Sequence, residues 1–168
     1  MRQSILLLLG LVALGDPRPL AAQARGFGML LGGLATDADN SSSGSDVAFA
    51  LGGGLQVGLI GFGLEVGEQH TGGDHKSDLL GGFFRVAAPV GRFRPFVVGG
   101  LGVYRFAPSG VFDRTRGGAS LGGGLLVDLG IRRIRFALEG RYHSVFDKEP
   151  GLSAQRFVTV LGGVQVGL

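Results

Sequence analysis

Gln155-Arg156-Phe157-Val158-Thr159-Val160-Leu161-Gly162-Gly163-Val164-Gln165-Val166-Gly167-Leu168 is the segment whose pattern decides the fold. Its even positions read Arg, Val, Val, Gly, Val, Val, Leu; its odd positions read Gln, Phe, Thr, Leu, Gly, Gln, Gly. One side is aliphatic and the other small or polar, a period of two that marks a strand with different neighbours on its two faces. The same period runs from Arg25 onward and places strands at about 26–36, 47–57, 59–70, 78–90, 94–106, 119–130, 134–146 and 155–168. Each is near the length that a tilted strand needs to cross a bilayer.

The connections between these strands take turns. Asp37–Asp46, Thr71–Ser77, Ala107–Gly118 and Asp147–Ala154 are long and polar, whereas Gly58, Gly91-Arg92-Phe93 and Ile131-Arg132-Arg133 are short. Four loops alternating with three tight turns put both ends of the strand array on the short-turn side. Membrane barrels have this layout, with short turns at one rim and longer loops at the other.

Mid-strand charges supply an independent test. In 134–143, Ile134, Phe136, Leu138, Gly140 and Tyr142 share one face, and Arg135, Ala137, Glu139, Arg141 and His143 share the other. Glu65 opposes Ile60, Phe62, Leu64 and Val66; Asp128 opposes Leu121, Leu125, Val127 and Leu129; Arg85 opposes Leu80, Phe84, Val86 and Val90. Charges on the apolar register, Glu68, Asp78 and Arg156, occur only beside the long loops. An Arg facing mid-bilayer costs about 2–4 kcal/mol, so lipid contact selects this segregation. A water-soluble barrel would place its apolar residues inside and its charges outside. The expected interior is therefore a charge network of Glu65, Arg85, Asp128, Arg135, Glu139 and Arg141. Outward aromatics are expected in two girdles: Phe27, Phe62, Phe96 and Phe136 near the short turns, and Phe49, Tyr104, Phe106, Tyr142 and Phe146 near the loops.

Composition agrees. Glycine contributes 34 of 168 residues, and doublets or triplets fall inside the Val/Leu/Phe patterns, as at Gly52-Gly53-Gly54 and Gly122-Gly123-Gly124. Such glycines suit the sharp coiling of a narrow closed barrel. With 45% hydrophobic and 17% charged residues the chain is not a disordered one. The absence of Cys excludes disulfide scaffolds, Cys-based zinc sites, thiol enzymes and a lipid-anchoring cysteine. Net charge is +3, but no Lys/Arg stripe with interleaved aromatics suggests a nucleic-acid surface. Val47–Leu64 is apolar enough to suggest a membrane helix, but its glycines and its period of two favour strands.

The first residues read as an address. Met1-Arg2, the apolar run Ile5–Gly15, the break at Pro17 and Pro19, and Ala22-Gln23-Ala24 form a signal peptide over 1–24, with Arg25 as the mature N-terminus of a barrel over 25–168. The exported chain would then carry 14 basic and 12 acidic residues.

In Arg94-Pro-Phe-Val-Val-Gly-Gly-Leu-Gly-Val-Tyr104, Leu138-Glu-Gly-Arg-Tyr-His143 and the final strand, the chain resembles the small eight-stranded bacterial outer-membrane β-barrels of the OmpA-like class. The resemblance covers Arg25–Leu168. It implies an all-β, eight-stranded, antiparallel up-and-down transmembrane barrel in the Gram-negative outer membrane, probed by lipid on its outside, with periplasmic termini and a monomeric state. It also implies delivery by the barrel-assembly machinery, which reads a C-terminal signal carried here by Gly163, Val166 and Leu168. The chain departs from the pattern in ending on Leu168 rather than an aromatic, and in having Leu161 where a polar residue is common. No peptidoglycan-binding domain is expected after the barrel.

Eight strands leave room for side chains but not for an open channel. The expected role is structural or loop-presenting with a plugged interior; a small gated, porin-like pore and a lipid-modifying hydrolase are the alternatives. Lipid A deacylases carry His and Ser two residues apart, on one face. In Tyr142-His143-Ser144 the two are adjacent and face opposite ways, so nucleophile and base do not meet. His70, Asp74, His75 and Asp78 read as solvated loop polarity rather than a metal site. No enzyme activity, cofactor or metal is expected. The loops Asp37–Asp46 and Ala107–Gly118 mix charged and apolar residues without naming an external ligand.

Overall fold

A computed structural model describes residues 24–38, 45–71, 75–108, 114–131, 133–146 and 156–168. The expected signal peptide, up to residue 23, lies outside these. Eight strands follow in chain order: β1 Arg25–Asp37, β2 Ser45–Val57, β3 Ile60–Thr71, β4 His75–Ala87, β5 Phe93–Pro108, β6 Arg114–Asp128, β7 Ile134–Val145 and β8 Arg156–Gly167. Each pairs antiparallel with its neighbours, and β1 pairs with β8 from Phe27↔Gly167 to Asp37↔Phe157, which closes the barrel. Closure satisfies every strand edge, the condition for placing a sheet in hydrocarbon.

Glycine makes the three tight turns. Val57 and Ile60 bracket Gly58-Leu59, and Val90 and Phe93 bracket Gly91-Arg92; Gly58 and Gly91 take φ of 60° and 62°. A positive φ at the first central residue suits a two-residue hairpin. The β6–β7 turn uses Gly130 at φ 77° and, unusually for a side-chain-bearing residue, Arg133 at φ 71°.

The faces divide as the charges require. Outside are Leu30, Leu34, Leu51, Leu64, Leu80, Val97, Leu101, Leu121, Leu138, Val160 and Val164, with Leu64 and Leu121 each 70% exposed. A continuous apolar surface of this extent is a lipid-facing surface. Glu68, Asp78 and Arg105 sit on the same outward register, side by side across β3, β4 and β5 at the loop end.

Two expectations need correction. Strands β5 and β6 run further than their hydrophobic pattern: Phe106 pairs with Arg114 and Tyr104 with Arg116, so Arg114 and Arg116 belong to β6 and not to a loop. The ladder is made by backbone groups, which continue to pair after the apolar alternation has stopped. The aromatic girdles also lose four members. Phe27, Phe96 and Tyr104 are buried inside the barrel, and Phe106 is half-buried against Tyr104's cluster. In β1 and β5 both faces are apolar at mid-strand, so no charge marks which one looks inward. Phe62 and Phe136 near the turns, and Phe49, Tyr142 and Phe146 near the loops, are exposed outside. Phe84, directly across from Phe62, and Phe93 complete the turn-side level.

Candidate functional site: the barrel interior

The interior has two storeys. At the turn-side rim Asp128, from β6, accepts from Arg135 Nε at 2.8 Å and from Arg94 Nε at 3.3 Å. Deeper, Arg141 Nη1 donates to Glu65 Oε1 at 2.5 Å across the barrel, and Arg141 Nε lies 2.5 Å from Glu139 Oε1. Arg141 thus holds two carboxylates from different strands, and all three side chains are buried. Gly122, directly opposite Arg141 on β6, leaves space for its stem: a Cβ there would collide with the carbonyl oxygen of Gly140 and the Cα of Arg141.

Arg85 completes the charge balance in a different way. It is only 2% exposed, and its guanidinium carbon lies 4.9 Å from the Phe27 ring centroid and 5.2 Å from that of Phe96. Its Nε and Nη2 make no hydrogen bond among the described residues, so the two π faces take the place of oxygen acceptors. A desolvated contact of this kind contributes about 2 kcal/mol. Glu139 is the counter-charge that acts on Arg85. Phe27 and Phe96 are therefore a clamp on the interior cation. Phe96 also covers Gly124, its partner on β6.

The loop-side storey is aromatic. The Tyr104 hydroxyl is 2.9 Å from His143 Nδ1, and His143 Nε2 is 3.1 Å from Thr159 Oγ1. The imidazole stacks on Phe157 at 4.5 Å and 9°, and Tyr104 meets Phe157 edge-on at 6.0 Å. Leu79 and Val145 fill the remaining space. Both imidazole nitrogens have partners, as a buried histidine requires. The sequence pattern did not single out this layer, although His143 shares the charged register of β7 and Phe157 and Thr159 share the polar register of β8. Tyr104 was hidden by the ambiguous facing of β5.

All six residues expected in the charge network face the interior, but they form two groups: Arg85, Glu65, Glu139 and Arg141 in the middle, Asp128 and Arg135 with Arg94 at the rim. His143 and Ser144 diverge as adjacent strand residues must. The hydroxyl that His143 does approach, on Thr159, is buried with it, beyond the reach of an acyl ester. His70 Nε2 is 2.9 Å from Glu68 Oε1 on the outer face, and Asp74 lies outside the described residues. Among the described residues no group of three His, Asp or Glu is placed to hold a metal ion. Of the C-terminal positions, Gly163 closes against Leu30 and Leu31 of β1, Val166 faces outward, and Leu168 is exposed and packs on Gly26.

A closed, eight-stranded antiparallel barrel, apolar outside and ion-paired within, is the fold of the small outer-membrane β-barrels. Several solved structures share the fold. Neisserial surface protein A (NspA) superposes with a TM-score of 0.64 at 16% identity, covering 85% of this chain and 96% of that one. The N-terminal β-barrel domain of Pseudomonas aeruginosa OprF superposes with a TM-score of 0.61 at 13% identity, covering 88% and 98%. No protein-family profile and no curated protein sequence matches the chain.

Proposed function

We propose that the chain is an integral outer-membrane protein, monomeric and non-enzymatic, whose plugged barrel anchors its four long connections at the cell surface, with both termini on the periplasmic side. The interior carries the reading. Arg141 bridges Glu65 and Glu139, Arg85 is clamped between Phe27 and Phe96, and the Tyr104–His143–Phe157 layer closes the loop-side half. Small eight-stranded barrels fill their interiors with side chains. In planar bilayers the purified protein is expected to give little steady current, and large, stable, ion-selective conductance would contradict the proposal.

A gated pore is the second reading, favoured by one observation: Arg141 already touches two carboxylates, so its ion pairs have an alternative partner at hand. Brief openings in Glu139→Ala, absent from the unmodified protein, would support it.

A further inference from the structure

Positive charge gathers at the turn end of the barrel. Among the described residues the turn end carries Arg25, Arg92, Arg94, Arg133 and Arg135 against one acid, Asp128, a net +4. Glu65, Glu139, Arg85 and Arg141 cancel in the middle. Every base at the turn end is arginine.

Arg94 and Arg135 turn inward to Asp128, whereas Arg25, Arg92 and Arg133 are exposed at the rim. Beside them the turns expose large apolar side chains: Val90 and Phe93 flank Gly91-Arg92, and Leu129 and Ile131 precede Arg133. Apolar groups interleaved with arginine at one level suit the headgroup boundary of a bilayer, where the apolar groups enter the acyl region and the guanidinium meets phosphate. Guanidinium binds phosphate through paired, charge-assisted hydrogen bonds, which a loose ammonium does not reproduce.

We infer that the turn-side rim, through Arg25, Arg92 and Arg133, is a binding surface for the phosphate headgroups of anionic glycerophospholipids in the leaflet it faces. The inference rests on the transmembrane reading above and adds to it a preference for one lipid class.

The test uses the protein purified from membranes and reconstituted in vesicles of phosphatidylcholine alone or of equimolar phosphatidylcholine and phosphatidylglycerol. Native mass spectrometry then reads the lipids retained from the mixture. Phosphatidylglycerol is expected to be enriched about fivefold, the effect of one well-placed arginine near an anionic surface. Arg25→Gln/Arg92→Gln/Arg133→Gln should retain the two lipids in their bulk ratio while still folding, as judged by a gel mobility that changes on heating. Lys76→Gln, at the loop end of β4, should keep the enrichment. Insertion without enrichment, or equal enrichment in the triple variant, would overturn the arginine rim alone. Failure to insert into either vesicle would overturn the transmembrane reading and this surface with it.

Discussion

Arg85 shows how a single residue organises the interior. Its charge is buried at the middle of a protein whose outside is apolar, and two aromatic rings flank it there. Removing one member of a buried charge cluster leaves another uncompensated, at a cost of about 3–5 kcal/mol. Glu139→Ala is expected to lose that much in urea unfolding of the detergent-solubilised barrel, because Arg141 and Arg85 both lose a counter-charge. Arg85→Met should lose a similar amount, and adding Glu139→Gln to it should recover most of the loss by restoring neutrality. A double variant no more stable than Arg85→Met would show that charge balance is not what holds this centre. The charges themselves could be read from the sequence, since each opposes a run of aliphatic residues. Their aromatic partners could not: Phe27 and Phe96 lie on strands with two apolar faces, where alternation carries no sign.

Among the elements, β6 departs furthest from its sequence pattern. Arg114-Thr-Arg-Gly-Gly118 has no hydrophobic alternation, yet it continues the ladder with β5 because pairing needs only backbone groups from both strands. Arg116 is half-buried against β5, and trypsin added from the loop side is expected to leave its peptide bond intact. Rapid cleavage after Arg116 in the folded protein would put the segment back in a loop. Glycine is the other feature at this scale. A methyl group at Gly122 meets backbone of β7 on the inside of the barrel. Gly122→Ala should therefore cost about 1–3 kcal/mol through forced overpacking, seen as a lower midpoint in the same unfolding assay. The turn at Arg133 runs the opposite way. Its left-handed backbone strains a side-chain-bearing residue, and Arg133→Gly should gain up to about 1 kcal/mol after its extra unfolded-state entropy is deducted. The doublets announced a coiled sheet from the sequence alone, whereas the positive φ at Arg133 has no signature there.

For the whole molecule, the faces follow from one rule, written in β3, β4, β6 and β7: charge on the inward register, aliphatic side chains on the outward one. The alternation of long and short connections fixed the up-and-down order, and closure by β1 and β8 is what that order requires of an edge in lipid. The loop-side aromatic storey was less legible, because a buried histidine and a tyrosine on an ambiguous strand join only once the barrel has closed. The most direct test of the account is site-directed nitroxide scanning of β8 in lipid vesicles, made simple by a chain that has no cysteine. Labels at Val158, Val160 and Val164 are predicted to collide freely with oxygen and hardly with a water-soluble nickel chelate. Labels at Phe157, Thr159 and Leu161 are predicted to be shielded from both. Strong nickel access at the second set would mean a water-filled lumen, and a reversal of the two sets would mean that the barrel turns its apolar face inward; either result would contradict a plugged transmembrane barrel.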